Sequence, residues 1–325
     1  MNNGNPFKYL FGPVSSARLG RSLGLDLLGA KICSLDCLYC EAGPTRQLTT
    51  ARKPYAPVAR LLAELRAYKE NGGPEPEHIT LGGLGEPCLN SDQGAIIHGV
   101  KEIYPDIPLA VLTNSTLLTD PKIRRELMAA DVVLPSMDAL NPGEFKNIAR
   151  PCSGLDVKAI ADSLIKFRKE YDGILRLEVL LLKGINDSEA ALDLMRAFVA
   201  ELQPDLVDVT TITRPGALPL VAPAARERLA LWRSALSAAS VAAKPEPTAD
   251  GLIKGRDHIY KQPSDLSETI FQSLRRRPQT KNQLASSLEA SLAQVEAALS
   301  SLLRTGKIEP AAGRLFFQVS RRRGL

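Results

Sequence analysis

Six apolar runs alternate with six segments of helical periodicity, and this alternation constrains the fold more than any other feature. The apolar runs lie at 22–29, 78–83, 108–114, 131–138, 173–184 and 206–213. The helical segments that follow them lie at 58–70, 93–104, 120–130, 157–171, 188–202 and 222–239. Repeated β-then-α units build a parallel sheet with right-handed crossovers. Six units predict an incomplete barrel or a wide open sheet, with reactive groups in loops after the carboxyl ends of the strands.

The sequence changes character after residue 240. Proline and glycine interrupt residues 241–263, which we predict to be a linker. Residues 264–325 then contain three helical patterns followed by a hairpin pattern. Two of the helical patterns open with the capping-box spacing, Thr280 with Gln283 and Ser291 with Gln294. We therefore predict a core domain over 1–240 and a small winged helix-turn-helix domain over 264–325.

The net charge of +5 belongs to this C-terminal segment. Residues 264–325 hold ten Lys or Arg and five Asp or Glu, whereas the first 263 residues hold 31 of each sign. The expected recognition helix has few side chains of the types that contact base edges. The surplus of positive charge in this segment therefore suits contact with phosphates. The alternative is a docking or dimerisation module with a solvated basic tail.

The sequence predicts a cytoplasmic protein without membrane contact. No run approaches the roughly 20 apolar residues that span a bilayer, and the N-terminus lacks the pattern of a secretion signal. The five cysteines are an odd number in a long chain, which argues against a disulfide framework.

Three of the cysteines, Cys33, Cys37 and Cys40, form a C-x3-C-x2-C cluster. Three thiolates this close can hold three irons of a cubane iron–sulfur cluster, which leaves the fourth iron without a protein ligand. The alternatives are chance clustering and a structural zinc site. Structural zinc normally takes four protein ligands arranged as two pairs, and no further Cys or His follows nearby.

This cluster, with Tyr39 just before its last cysteine, resembles the motif of the radical S-adenosylmethionine (SAM) superfamily. The surrounding text, GPVSSARLGRSLGLDL and CSLDCLYCEAG, resembles a branch related to the wyosine-forming tRNA enzymes over most of residues 10–245. The resemblance implies a partial (β/α)6 TIM-like barrel and a [4Fe–4S] cluster whose open iron is chelated by SAM. It also implies reductive cleavage of SAM to a 5′-deoxyadenosyl radical, with flavodoxin or ferredoxin as electron donor. No cysteine precedes Cys33, so the resemblance does not extend to the second cysteine triad of the wyosine-forming enzymes.

Further SAM-binding residues are predicted after the other strands. Gly85 and Glu86, in GGLGEP, are similar to the Gly-Gly-Glu element that binds the SAM amino group; the alternative is a plain turn with a solvated Glu. The remaining candidates follow the third, fourth and fifth strands: Asn114, Ser136, Asp138 and Asn186. For Asp138 the alternative is a helix N-cap.

The sequence leaves two alternative roles for each of four other residues. Arg150 and Arg214 are either substrate contacts or solvated and salt-bridged arginines. Cys88 and Cys152 fit small buried side chains better than a quencher or an auxiliary ligand.

Two functions follow from these patterns. The first is a radical SAM enzyme that modifies an unidentified substrate. The leading candidate is a tRNA or another nucleic acid docked by the winged helix, and the alternatives are a protein or a small molecule. The second is an iron–sulfur redox sensor that regulates DNA through the winged helix. The elements resembling a SAM pocket disfavour the sensor, because a sensor needs no such pocket.

Overall fold

A computed structural model describes residues 7–16, 18–213, 221–239, 263–276, 278–288, 290–311 and 316–320. The linker predicted over 241–263 lies outside these residues except for Pro263, which begins a helix. Arg214 also lies outside the described residues.

The core domain contains a seven-stranded sheet in which six neighbouring strands are parallel. The core-domain strands are β1 (Leu10–Ser16), β2 (Gly20–Leu25), β3 (Ile32–Cys33), β4 (Gln47–Leu48), β5 (His78–Leu81), β6 (Leu109–Thr113), β7 (Val132–Pro135), β8 (Ile174–Leu181) and β9 (Leu206–Thr211). The sheet order is β1-β2-β5-β6-β7-β8-β9, and β3 pairs with β4 beside it. Parallel neighbours in chain order, without a reversal, are typical of a barrel wall rather than a doubly wound sheet. The predicted α/β fold with a mostly parallel sheet is confirmed.

Helices follow the parallel strands, as the periodicity predicts. They are α1 (Val58–Glu70), α2 (Gln93–Ile103), α3 (Pro121–Leu127), α4 (Pro142–Ala149), α5 (Val157–Glu170), α6 (Glu189–Leu202) and α7 (Arg226–Ser237). The helix predicted from residue 222 is wrong at its start, because the backbone there pairs with the end of β8: the Ala222 carbonyl accepts a hydrogen bond from Lys183 N at 3.0 Å. The eight-residue α4 was not predicted, and Asn141 caps it by accepting from two backbone amides.

The side chains of β8 divide between two environments. Leu175, Leu177, Val179 and Leu181 are fully buried in the main core with residues of the helices. The alternate residues Arg176 and Glu178 are half-buried on the opposite face, where they form ion pairs. The inner face of this part of the sheet is therefore charged, which a continuous apolar run did not predict.

Residues beyond 262 form a second unit with its own core. It consists of α8 (Pro263–Arg276), α9 (Lys281–Leu288), α10 (Leu292–Arg304), β10 (Ile308–Ala311) and β11 (Phe316–Val319), and β10 pairs antiparallel with β11. Both predicted capping boxes form, at Thr280 with Gln283 and at Ser291 with Gln294. The order of elements matches the prediction, and the assignment as a winged helix stays a prediction.

The C-terminal unit covers an edge of the core sheet. β1, which was not predicted, pairs antiparallel with β2 and forms that edge, and α8 and α9 contact it. Covering an edge strand removes a row of unpaired backbone groups from solvent. Among the helices of the described residues, none combines the length and apolar character needed to cross a bilayer.

Replacing Leu177 by Ala should destabilise the core domain by about 2–5 kcal/mol, because the side chain is fully buried and truncation leaves a cavity. The matched control is Leu194→Ala on α6. That side chain is 48% exposed, and the free energy of unfolding should stay within about 0.5 kcal/mol of the parent. Urea denaturation followed by circular dichroism measures both. Equal losses would contradict the assignment of β8 to the core.

Candidate metal centre

The three clustered cysteines lie on one loop after β2. This cysteine loop (residues 33–40) begins at the end of β3, and its Cys33 is buried at 8% exposure. Cys37 and Cys40 are half-buried, and Cys40 N donates to the Cys37 carbonyl at 3.2 Å. The structure therefore presents three thiols together at the carboxyl end of a parallel strand, where the fold predicts reactive groups.

The end of α4 and the chain just after it form backbone hydrogen bonds with the cysteine loop. Three hydrogen bonds join them: Asp36 N to Ala149 O at 2.9 Å, Leu38 N to Ile148 O at 3.0 Å and Cys152 N to Ser34 O at 2.9 Å. They use two carbonyls at the end of a helix, which have no partner within the helix. These helix-end carbonyls therefore gain hydrogen-bond partners, and the backbone of the cysteine loop is held in place.

Arg150 adds a side-chain clamp at the same place. It ends α4 in the left-handed conformation, with φ at 44°. Its Nε donates to the Asp36 carbonyl at 2.7 Å, and its guanidinium pairs with the Asp36 carboxylate at 2.5 Å. Of the two alternatives for Arg150, a substrate contact or a salt-bridged arginine, the structure shows the salt bridge. The same side chain holds the cysteine loop through Asp36.

Lys31 brings a positive charge to the thiols. Its side chain is buried, and Nζ lies 2.9 Å from the Cys40 sulfur. Burial lowers the pKa of Lys31, but the sulfurs of Cys40 and Cys33 raise it more, so its pKa lies above the ordinary value. Burial raises the pKa of the Cys33 thiol to about 11, and the nearby Lys31 ammonium offsets part of that rise.

These residues fit an iron–sulfur cluster by the chemistry of their donors. A buried ammonium needs an opposite charge, and in the described residues the hydrogen-bond partner of Lys31 Nζ is a thiol rather than a carboxylate. A thiolate is the form of cysteine that binds iron, and a neighbouring ammonium complements its negative charge. Within the described parts of the chain, no set of three or more His, Cys, Asp or Glu is arranged to hold a single metal ion. In a cubane each of the three thiolates binds a different iron, so its ligands need not converge on one ion.

The loop containing Gly85 and Glu86 packs directly on β3. Glu86 N donates to the Ile32 carbonyl at 3.1 Å, and a Cβ on Gly85 would lie 1.8 Å from that carbonyl oxygen. The Glu86 side chain is buried at 2% exposure, not solvated. Its carboxylate accepts from Thr113 Oγ1 at 2.8 Å and from Asn114 N at 2.7 Å. Burial raises the pKa of Glu86, and these donors offset part of the rise.

Asn114 links this carboxylate to the first cysteine. Its Nδ2 lies 3.3 Å from the Cys33 sulfur and 2.9 Å from Ser34 Oγ. Its Oδ1 accepts from the Thr116 hydroxyl at 2.7 Å. The end of β6 is therefore joined to the cysteine loop by side-chain hydrogen bonds.

Asp138 joins Tyr39 of the cysteine loop to β8. The Tyr39 hydroxyl donates to one Asp138 oxygen, and Leu180 N donates to the other at 2.8 Å. The N-cap of α4 is Asn141, so Asp138 does not have the alternative role of a helix cap. Burial raises the pKa of Asp138 to about 7, and the bond from Tyr39 counters part of that rise.

Ser136 and Asn186 differ in whether their side-chain polar atoms are already engaged in hydrogen bonds. The Ser136 residue is half-buried, and none of the hydrogen bonds in the described residues uses its hydroxyl. Asn186 is fully buried: Nδ2 donates to the carbonyls of Asp138 and Leu180 at 2.7 and 2.8 Å, and Oδ1 accepts from Leu182 N. Both donors of the Asn186 amide are thus used to join two strand ends.

The two isolated cysteines occupy different environments. Cys88 is fully buried with its sulfur 3.5 Å from Thr113 Oγ1, in agreement with a small buried side chain. Cys152 is half-buried beside the cysteine loop. Sequence reasoning missed Lys31, although its position two residues before Cys33 was an available signal.

The sequence profile of the Radical SAM superfamily matches residues 28–195, which include the cysteine loop and the loops after the next strands. A protein named GTPase Obg from Brachyspira hyodysenteriae is 34% identical over 93% of this chain and 43% of its own length. A UPF0026 protein from Synechocystis is 38% identical over 54% of this chain and 66% of its own length. The dual-specificity RNA methyltransferase RlmN from Rhodospirillum rubrum is 29% identical over 49% of this chain and 39% of its own length. The chain thus spans less than two thirds of these relatives.

Two solved structures share the fold. A radical SAM methyltransferase from Sphaerobacter thermophilus superposes with a TM-score of 0.51 and 21% identity, over 69% of this chain and 65% of that one. A structure of TYW1 with a bound lysine–pyruvate adduct superposes with a TM-score of 0.52 and 14% identity, over 70% and 78%. At such identities the likeness concerns the fold alone.

Gly85→Ala should reduce the iron bound after anaerobic reconstitution, because its Cβ would meet the Ile32 carbonyl and push the loop away from Cys33. The control is Gly82→Ala in the same loop, where the nearest atom lies at an ordinary 3.7 Å. Iron and sulfide content per chain measures the effect. Full loading of Gly85→Ala would contradict the packing of this loop on β3.

Proposed function

The chain belongs to the radical SAM superfamily, and we propose that it holds a [4Fe–4S] cluster on Cys33, Cys37 and Cys40. The enzymes of this superfamily use such a cluster together with SAM. When bound, the two supply one-electron cleavage of SAM to a 5′-deoxyadenosyl radical, which abstracts hydrogen from a substrate. The electron donor that we propose is a flavodoxin or a ferredoxin.

The observation that carries this proposal is the buried pairing of Lys31 with a thiol of the cysteine loop. The Lys31 ammonium lies 2.9 Å from the Cys40 sulfur, where it would complement the negative charge of a cluster bound through thiolates. Hydrogen bonds from Arg150 and the end of α4 hold the backbone of the cysteine loop. Such pre-organisation lowers the cost of ordering the ligands when the cluster binds.

We propose two roles for the predicted SAM-binding residues. Ser136, Asp138 and Tyr39 contact SAM, because the Ser136 hydroxyl is available and each Asp138 oxygen keeps one lone pair. Glu86 binds it at the side of Cys33, Asn114 lines the same place and positions Cys33 through its amide, and Gly85 allows the loop of Glu86 to approach β3. Asn186 contributes mainly by fixing the Asp138 backbone, since its donors are engaged there.

A turnover assay tests the cleavage. Anaerobically reconstituted protein, given dithionite and SAM, should form 5′-deoxyadenosine that chromatography detects. Cys37→Ala should reduce the product to background, because an iron loses its ligand. Cys88→Ala is the matched control and should retain the product, because Cys88 is buried against Thr113. Absence of product from the parent protein, or unchanged product from Cys37→Ala, would contradict the proposal.

We further propose that the substrate is a nucleic acid, with tRNA as the first candidate, docked by the C-terminal unit. Three observations support this: the +5 surplus over residues 264–325, the contact of α8 and α9 with an edge of the core sheet, and the similarity to an RNA methyltransferase. A basic segment favours phosphate contact without strong sequence preference.

Adding tRNA should increase the formation of 5′-deoxyadenosine above the level without substrate, and the increase should fall as salt rises, because phosphate contacts are screened. Mass spectrometry of digested tRNA should show a new modified nucleoside. Stimulation by a protein extract after nuclease treatment, with none by RNA, would contradict a nucleic-acid substrate. Sequence-selective DNA binding that changes with the cluster's redox state, without SAM turnover, would favour the redox regulator.

A further inference from the structure

We propose that Lys31 sets the reduction potential of the cluster by holding its ammonium against the Cys40 thiolate. This inference rests on the proposed cluster site. It concerns one-electron reduction alone: the electron comes from the external donor, the cluster is reduced, and no bond in the protein forms or breaks.

The position of Lys31 is fixed by the chain around it. Its carbonyl accepts hydrogen bonds from Arg46 N at 3.0 Å and from Gln47 N at 3.3 Å, and Ile32 continues directly into β3. The side chain is 9% exposed and reaches Cys40, nine residues later, with Nζ 2.9 Å from the sulfur. The ammonium is thus held on the sulfur from a backbone that is itself anchored.

A fixed positive charge at this place favours the reduced cluster. Reduction adds one negative charge, and the attraction of a nearby ammonium for that charge is large where water is excluded. Hydrogen bonds to cluster sulfurs and net charge are among the factors that set iron–sulfur potentials. Removing the ammonium should therefore make the cluster harder to reduce.

Arg150 and Asn114 also contact the loop in the part of the chain that the structure describes, and neither supplies this charge. The guanidinium of Arg150 is paired with the Asp36 carboxylate at 2.5 Å, so that pair is close to neutral. Asn114 donates to the Cys33 sulfur at 3.3 Å from a neutral amide. Lys31 instead contributes a cation directly to a sulfur.

The test compares Lys31→Met, which removes the charge at similar length, with Lys31→Arg, which keeps it. Anaerobically reconstituted full chains are titrated electrochemically, and the reduced cluster is followed by electron paramagnetic resonance. We expect Lys31→Met to shift the reduction equilibrium at least about tenfold toward the oxidised cluster, about 59 mV for a one-electron couple. Lys31→Arg should stay close to the parent. The control is Lys122→Met on α3, an exposed lysine whose loss should leave the potential unchanged.

SAM binding, read from the change that SAM makes in the resonance of the reduced cluster, separates tuning from ligand contact. An unchanged SAM affinity with a lowered potential supports the proposal. A weakened SAM affinity with an unchanged potential would overturn it, and so would no change in either quantity.

Cluster loading also bears on the proposal. If Lys31→Met does not load, Lys31→Gln, which also removes the charge, takes its place in the titration; a lowered potential would support the proposal, and an unchanged potential would overturn it. If neither Lys31→Met nor Lys31→Arg binds a cluster, the proposal is overturned, because the shape of the lysine side chain rather than its charge would then determine cluster binding. Absence of a cluster in the parent protein would instead contradict the proposed function itself.

Discussion

The contact between the buried Lys31 ammonium and the Cys40 sulfur is the interaction on which the rest of the site depends. An ammonium excluded from water is stabilised by neighbouring negative charge, and in the described residues the hydrogen-bond partner of Lys31 Nζ is the Cys40 sulfur. The middle of the cysteine loop is held at Asp36 and Leu38 by Arg150 and the end of α4. The cysteine loop is therefore contacted by the Lys31 ammonium at Cys40 and held by hydrogen bonds from Arg150 and the end of α4.

Hydrogen bonds between strand ends hold the surrounding loops in register. On one side, the Glu86 carboxylate binds the backbone of Asn114, whose side chain reaches the Cys33 sulfur. On the other side, Asp138 connects the Tyr39 hydroxyl to the backbone of Leu180. Because neighbouring parallel strands end at the same edge of the sheet, short side chains suffice for these links. A ligand bound there would contact loops from several strands at once.

Much of the fold follows from the sequence because its signals are local. The period of the apolar residues located the six parallel strands, and the capping-box spacing located α9 and α10. β1 escaped detection because Gly12 and Pro13 interrupt its pattern, and α4 because it has only eight residues. The start of α7 was misplaced because residues near 222 pair with β8, a contact distant in sequence.

The site was predictable only where the chemistry lies in a short motif. The three cysteines and Tyr39 stand together in the sequence, and Gly85 and Glu86 form a recognisable turn. The contact of Arg150 with Asp36 joins residues 114 positions apart, so no local pattern indicates it. The engagement of both Asn186 donors, likewise, follows from the meeting of two strand ends.

The most direct measurement of the central claim is Mössbauer spectroscopy of anaerobically reconstituted protein with and without SAM. The account predicts a cubane cluster in which one iron differs from the other three, and a change at that iron when SAM is added. A mononuclear iron with four thiolate ligands, or a cubane with four equivalent irons that do not respond to SAM, would contradict it.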